Sequence, residues 1–142
     1  MATFAIPVRV YYQDTDAAGV VFHATYLDFM ERARVEWLRN QGFEPRELER
    51  RFRLVFIVRH LDIAYMKPAV LDDLVTVTAA VQKLGRAQVT LGQEVMRGKE
   101  ALVRASVNLA CVAADNLKPM PVPDEVRASF ADEVALPVEA TA

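Results

Sequence analysis

The chain has 142 residues, is 53% hydrophobic and carries a formal net charge of −2 at pH 7, which is typical of one well-packed globular domain. So small a net charge exerts no general attraction on nucleic acid, and an anionic ligand must be held by local Lys and Arg side chains. The sequence contains no run of about 18 uncharged apolar residues and no recognisable signal peptide, so we expect no membrane span. The single cysteine, Cys111, excludes an internal disulfide and favours a cytoplasmic protein.

The N-terminal part of the chain is predicted to contain one strand and one long helix. Residues 4–12 are rich in Val, Tyr, Phe and Ile and predict a strand, in which Pro7 favours the strand's start or a sheet edge. After a loop over 13–21, apolar residues at helical spacing predict a helix over about 25–41, with Gly42 as its stop. Because this helix carries the only Trp and many large side chains, we expect it to lie deep in the fold.

The rest of the chain is predicted to consist mainly of strands. A basic segment over 45–51 predicts a short exposed helix, and residues 54–65 predict a long strand. Alternating apolar residues predict three more strands, followed by a closing helix and a loose tail: 75–81, 87–95, 101–111, 123–132 and the last ten residues. Hairpin turns are expected at 83–86 and 97–100, with glycine supplying a positive φ.

This order of elements favours an α+β fold, in which an antiparallel sheet of about five strands wraps around one long central helix. The whole chain, 1–142, is predicted to be a single domain with its core over about 4–130. A doubly wound fold would need further helices between 54 and 113, where the pattern predicts only strands.

Several kinds of catalytic site lack the residues they need. Ser106 and Ser129 are not in a nucleophile elbow, and the five glycines form neither a P-loop nor a dinucleotide fingerprint. His23 and His60 lack the helical spacing of paired zinc ligands, and one cysteine cannot build a structural zinc site. We therefore expect no metal site, no phosphoryl transfer and no Ser triad, which leaves chemistry based on carboxylates.

The most informative segment is YYQDTDAAGVVFHATY, residues 11–26, between the predicted strand and the predicted helix. It places Asp14, Asp16, Gly19 and His23 beside a helix N-terminus, where unpaired N–H groups and the helix dipole can stabilise an oxyanion. In this interpretation Asp16 is a nucleophile or a general base.

A simpler interpretation of this segment stays open. An Asp in a loop before a helix often caps backbone N–H groups or forms an Asx turn, which is the preferred interpretation of Asp14. His23 is then a capping histidine or one at the edge of the core. Gly19 is either a plain turn glycine or a point where a substrate approaches the backbone.

Outside this segment we interpret His60 as a structural histidine and Cys111 as a small buried hydrophobe. The basic residues have two possible roles, a solvated surface or a patch that binds anionic phosphates. These residues are Arg46, Arg50, Arg51, Arg53, Arg59, Lys67, Lys83 and Arg86.

The segment VRVYYQDTDAAGVVFHATYLDFMERARVEWL, followed later by YMKPA and LDD, resembles the hotdog-fold acyl-CoA thioesterases of the 4-hydroxybenzoyl-CoA thioesterase superfamily. It is most similar to the Tol–Pal-associated, YbgC-type branch, over about residues 6–130. The resemblance implies a hotdog fold and hydrolysis of an acyl-CoA thioester without a cofactor. It also implies a homo-oligomer, a dimer or a homotetramer made of two dimers, with active sites at the dimer interface.

The resemblance also implies roles for individual residues. Asp16 corresponds to the catalytic carboxylate, and residue 23 to the backbone N–H that polarises the thioester carbonyl, with a possible role for the His23 side chain. We predict that the substrate is bound by loop and helix residues together with basic groups for CoA: Gly19, Val20, Val21, Phe22, Tyr26, Arg59, Lys67, Lys83 and Arg86. The alternatives are a hotdog hydratase and a non-catalytic protein that binds acyl-CoA or joins an envelope complex.

Overall fold

The computed structural model describes residues 3–134, which form one five-stranded antiparallel sheet and three helices. In chain order the elements are β1 (Phe4–Arg9), α1 (Thr25–Asn40), α2 (Pro45–Phe52), β2 (Leu54–Tyr65), β3 (Leu74–Leu84), β4 (Gln88–Arg97), β5 (Glu100–Ala113) and α3 (Asp124–Val134). The strand order is β1-β3-β4-β5-β2, and every neighbouring pair is antiparallel. The predicted α+β fold, with about five strands around a long helix, is confirmed.

Helix α1 lies deep in the fold, as its apolar spacing predicts. Phe29, Met30 and Ala33 are fully buried, and α1 packs against β1, β3 and β4. The ring of Trp37 lies against Phe130 of α3, with ring centroids 4.8 Å apart. Each large apolar side chain buried in this way stabilises the fold by roughly 1.5–3 kcal/mol, so α1 is the centre of the core.

The two edges of the sheet are β1 and β2. Pro7 lies on β1, which pairs only with β3, so the predicted edge position of this proline is confirmed. Strand β2 pairs only with β5, and its outer side carries the exposed apolar residues Ile57 and Val58, which are 41% and 51% exposed. A long apolar edge strand presents unpaired N–H and C=O groups to which another strand can pair.

Two turns differ from their predictions. Strand β1 ends at Arg9 rather than at residue 12, because the Asp14 carboxylate accepts a hydrogen bond from the Tyr11 N–H (2.8 Å) and folds Tyr12–Asp14 into a 3-10 turn. In the hairpin turns, Gly98 has the predicted positive φ of 61°, whereas Gly85 does not. A Cβ at Gly85 would lie 3.0 Å from the Gln88 side chain, so close packing rather than φ favours glycine there.

The two residues singled out beyond the loop have different surroundings. Cys111 is fully buried, as predicted, and burial raises the pKa of its thiol to about 11. His60 lies exposed on the outer face of β2, where its ring faces the Asp62 carboxylate at 3.3 Å. The closing helix is α3, and the predicted loose tail after residue 134 lies outside the described residues. Within residues 3–134, no helix has the length and apolar character needed to cross a membrane.

Candidate active site

The loop between β1 and α1 is closed by a tight turn that begins at Asp16. The Asp16 N–H donates to the Val20 carbonyl and the Gly19 N–H donates to the Asp16 carbonyl, both at 2.9 Å. Thr15 and Val21 pair across the turn as an isolated bridge. The turn therefore fixes where the Asp16 side chain leaves the backbone.

One oxygen of the Asp16 carboxylate is used by the turn itself. Its Oδ1 accepts a hydrogen bond from the Ala18 N–H at 2.8 Å, which is the Asx turn that the simpler interpretation expects. Its Oδ2 accepts no hydrogen bond from the residues that the structure describes, and the side chain is exposed. Asp14, by contrast, is buried and bonded to Tyr11. The turn thus fixes the Asp16 carboxylate through Oδ1, and Oδ2 can accept a further hydrogen bond.

Position 19 favours glycine because of its backbone conformation and not because a side chain would clash there. Its φ is +84°, and a Cβ would meet no atom within 4 Å. We expect Gly19→Ala to lower the free energy of unfolding by roughly 1–2 kcal/mol, because an L side chain is strained in the left-handed region. Thermal or urea unfolding measures this loss; Gly19→Asn, which places a residue that tolerates the left-handed region at the same position, should lose less. An unchanged midpoint for Gly19→Ala would contradict the assigned turn.

The N-terminus of α1 presents free backbone donors next to this turn. The Phe22 N–H donates to the Asp14 carbonyl (2.9 Å) and the Thr25 N–H to the Phe22 carbonyl (2.8 Å). The N–H groups of His23 and Ala24 donate to no acceptor in the part of the chain that the structure describes, and Ala24 offers no side-chain cap. Free donors at the positive end of the helix dipole form a site for an oxyanion.

A small cavity of about 230 Å³ opens at this helix terminus. It brings together predicted site residues with others that the sequence did not single out: Val21, His23, Tyr26, Tyr65, Met66, Lys67 and Pro68. The Tyr65 hydroxyl donates to the His23 carbonyl at 2.8 Å. The buried Tyr26 hydroxyl accepts from the Ala69 N–H at 3.0 Å, and burial raises the pKa of Tyr26, so its phenol stays protonated.

The segment between β2 and β3 supports the loop from the other side. The Val21 N–H donates to the Ala69 carbonyl at 2.9 Å, and Val20 pairs with Val70 as an isolated bridge. Arg97 holds this segment by contacts to Asp73 (2.8 Å) and to Glu100 (3.0 Å). The position of this loop therefore depends on ion pairs that lie outside it.

The other predicted binding residues lie at different distances from this cavity. Phe22 is exposed beside His23, with ring centroids 4.5 Å apart, whereas Lys67 lines the cavity and pairs with Glu100. Arg59 lies on the outer face of the sheet, 3.3 Å from the Asn108 side chain. The structure does not bring the last two predicted residues, Lys83 and Arg86, to the loop of their own subunit.

Lys83 and Arg86 lie away from the loop because of the direction in which β3 runs. This strand begins at Leu74, directly after the segment that contacts the loop, and runs away from it. Lys83 is nine residues further along the strand, which corresponds to about 30 Å. Lys83 therefore lies far from the loop between β1 and α1, and Arg86 follows it at the same end of β3.

A second, larger cavity of about 420 Å³ lies between α1, α2 and the sheet beside β2. Its walls are mainly apolar and include Val35, Trp37, Leu54, Phe56, Ile57 and Leu91, with Glu31 and Arg34 as its charged members. Sequence reasoning missed this cavity. The available signal was Arg34, a charged residue that follows the buried Ala33 directly on the apolar side of α1.

No group of three or more His, Cys, Asp or Glu within residues 3–134 is arranged to hold a metal ion. The loop between β1 and α1 instead supplies the held carboxylate of Asp16, which does not itself line the small cavity, and the adjoining helix terminus supplies backbone N–H groups without an acceptor among the described residues and the protonated Tyr26. This set of groups suits attack on a carbonyl and stabilisation of the charge that develops.

Comparison with known proteins shows the family of this chain. A family model described as the thioesterase superfamily matches residues 18–104, beginning two residues after Asp16. The acyl-CoA thioesterase YbgC of Haemophilus influenzae is 46% identical over 127 residues, 89% of this chain and 93% of that protein. The acyl-CoA thioester hydrolase YbgC of Escherichia coli O6:H1 is 38% identical over 128 residues, 89% of this chain and 95% of its own length.

Solved structures agree with this relationship. A probable thioesterase from Bartonella henselae has a TM-score of 0.82 and 38% identity, and the match covers 86% of this chain and all of that one. The sheet order and the central helix described above are thus those of a known thioesterase fold. The chain therefore belongs to the thioesterase superfamily, and within it to the family of the YbgC acyl-CoA thioesterases.

Proposed function

We propose that this enzyme hydrolyses acyl-CoA thioesters at the loop between β1 and α1, with Asp16 as the catalytic carboxylate. Acyl-CoA hydrolysis is the activity for which its relatives are named. The proposal rests on the position of Asp16, whose Oδ2 accepts no hydrogen bond from residues 3–134, before a helix terminus at which the His23 and Ala24 N–H groups donate to no acceptor in the same range. No metal or other cofactor enters this mechanism.

The reaction needs a nucleophile for the thioester carbonyl and a donor for its oxygen. Asp16 either takes a proton from the attacking water or attacks the carbonyl itself, forming an anhydride that water then opens. In both routes the C–S bond breaks, a proton ends on the CoA thiol and water supplies the second oxygen of the free acid. The N–H of His23, supported by that of Ala24, stabilises the oxyanion, for which one donor is worth about 3 kcal/mol. The His23 imidazole orients the water or the thioester.

Thiol release tests this function. A panel of acetyl-, hexanoyl-, palmitoyl- and benzoyl-CoA is incubated with the protein, and free CoA thiol is measured. Release from at least one member is the expected result. Binding of these compounds without thiol release would instead support a non-catalytic acyl-CoA-binding role.

The exposed edge of β2 supports a dimer as the working form. Two copies related by a two-fold axis would pair these edges antiparallel and cover Ile57 and Val58. The Tyr65 end of β2, whose hydroxyl contacts His23, would then lie next to the partner's Leu54, at the mouth of the partner's larger cavity. Each active site would combine the loop of one subunit with the cavity of the other. A tetramer made of two such dimers stays a prediction.

Lys67, on the wall of the small cavity, and the exposed Arg59 are the basic groups proposed to hold CoA phosphates. The chain is proposed to act in the cytoplasm as one domain, with acyl-CoA rather than nucleic acid as its ligand. The net charge of −2 supports a ligand other than nucleic acid.

Tyr65 is proposed to position the oxyanion donors. Its hydroxyl fixes the His23 carbonyl at 2.8 Å, and this carbonyl shares a peptide plane with the free Ala24 N–H. We expect Tyr65→Phe to lower kcat about 5- to 10-fold, as for the loss of one hydrogen bond, with a much smaller change in KM. Steady-state thiol release separates the two constants. An increase in KM with an unchanged kcat would show that Tyr65 contributes to substrate binding only.

A further inference from the structure

The larger cavity contains a charged group whose interactions are incomplete. Arg34 projects from α1 into a cavity whose other walls are almost all apolar. Its Nη1 donates to the Gln93 side-chain oxygen at 3.0 Å. A guanidinium has five N–H donors, and this is the only side-chain hydrogen bond of Arg34 within the described residues.

Gln93 holds this arginine in a fixed orientation. It lies on β4, is 1% exposed, and its amide NH₂ donates to the Met30 carbonyl (3.0 Å) and to the Thr78 carbonyl (3.1 Å). Because both amide hydrogens are used in this way, the side-chain oxygen must face Arg34. The cavity thus contains a cationic group, the Arg34 guanidinium, whose orientation is fixed by the buried Gln93 amide.

Arg34 forms no ion pair with any carboxylate among residues 3–134. Glu31 lies one turn earlier on α1 and acts on Arg34 electrostatically, but it forms no ion pair with it among the residues that the structure describes. Burial lowers the pKa of Arg34, which shows that its guanidinium has lost part of its hydration. A carboxylate matches such a group, since it accepts two parallel N–H donors and neutralises the charge.

We propose that Arg34 forms a carboxylate-binding subsite in the larger cavity, which selects acyl groups that carry a carboxylate at the end remote from the thioester. The inference rests on the proposed function, because the acyl group reaches this cavity from the partner's Asp16 loop across the paired β2 strands. The apolar walls contact the methylene chain, and the guanidinium binds the terminal carboxylate. The enzyme thereby distinguishes an acyl-CoA that ends in a carboxylate from one of equal length that ends in a methyl group.

A matched pair of substrates tests the subsite. Glutaryl-CoA and pentanoyl-CoA have acyl chains of equal length and differ in the terminal carboxylate. We expect the wild type to favour glutaryl-CoA by at least about 10-fold in kcat/KM, and Arg34→Met to lower this preference by about 10- to 100-fold, as for loss of a charged hydrogen bond. Arg34→Lys should lower it by less, since the charge remains while the two-donor geometry is lost.

Two controls separate selectivity from folding. Arg32→Met removes the same side chain from the exposed face of the same helix and should leave the preference as it is in the wild type. Glu31→Gln removes the neighbouring negative charge and should raise the preference for glutaryl-CoA, an effect that a damaged fold cannot produce. Thermal unfolding of each variant accompanies the kinetics.

The outcomes are distinct. A wild type that hydrolyses pentanoyl-CoA but shows no preference for glutaryl-CoA would overturn the subsite and leave the thioesterase function intact. A preference for glutaryl-CoA that persists in folded Arg34→Met would likewise overturn the subsite and leave the thioesterase function intact. A wild type that hydrolyses no acyl-CoA at all would overturn the proposed function, and the subsite with it.

Discussion

Replacing Asp16 with Asn should lower kcat by about a thousandfold on any acyl-CoA that the wild type hydrolyses, with KM changed only slightly. An amide oxygen can still accept the hydrogen bond from the Ala18 N–H, so the turn from Asp16 to Val20 should keep its shape. What is lost is the negative charge and basicity of the free oxygen. Thiol release measures the rate, and circular dichroism with thermal unfolding shows that the fold is retained.

Asp28→Asn is the matched control for this prediction. Asp28 lies exposed in the first turn of α1, so the substitution removes the same charge close to the same helix terminus but outside the loop between β1 and α1. Its kcat should stay close to that of the wild type. A folded Asp16→Asn protein that retains more than about a tenth of the wild-type kcat would exclude a catalytic carboxylate at this position.

Val58→Asp should convert the proposed dimer into a monomer and reduce turnover by about a hundredfold. Val58 lies near the middle of the edge strand β2 and is 51% exposed. In the proposed antiparallel pair of β2 strands each introduced carboxylate would be covered by the partner's strand, where a charge without a counter-ion is destabilising. Loss of the partner removes the cavity that positions the acyl group, and misplacement of about 1 Å can already cost a hundredfold in rate.

Light scattering measures the mass of this variant at the concentration of the kinetic assay. Ala5→Asp is its control, because Ala5 is an exposed residue on β1, the opposite edge of the sheet. That variant should keep both the mass and the activity of the wild type. A fully active monomer of Val58→Asp, or a dimer that tolerates the charge, would contradict pairing through β2.

The elements with the strongest periodicity could be predicted from the sequence. Strand β2 begins and ends at the predicted residues, and α1 ends one residue before the predicted limit, because long runs of apolar residues override local ambiguity. The position of Pro7 at a sheet edge follows from its missing N–H. The helix and strand pattern around Asp16 was therefore predictable, whereas its catalytic role stays a prediction.

The contacts that build the two cavities could not be predicted, because they join residues far apart in the chain. Tyr65 and His23 are separated by 42 positions, and Arg34 and Gln93 by 59. No pattern in one sequence reports such pairs. The same limit applies to Lys83, since only the direction of β3 shows that it points away from the loop of its own subunit.

Subunit complementation tests most directly that each active site combines the Asp16 loop of one subunit with the larger cavity of the other. Asp16→Asn removes the carboxylate, and Val35→Trp fills the cavity that Val35 lines. Each variant alone should release little thiol. Co-expressed, they form mixed dimers with one intact site each, so activity should recover to about a quarter of the wild-type value if pairing is random. No recovery from stable mixed dimers would show that loop and cavity act within one subunit, and would contradict the account.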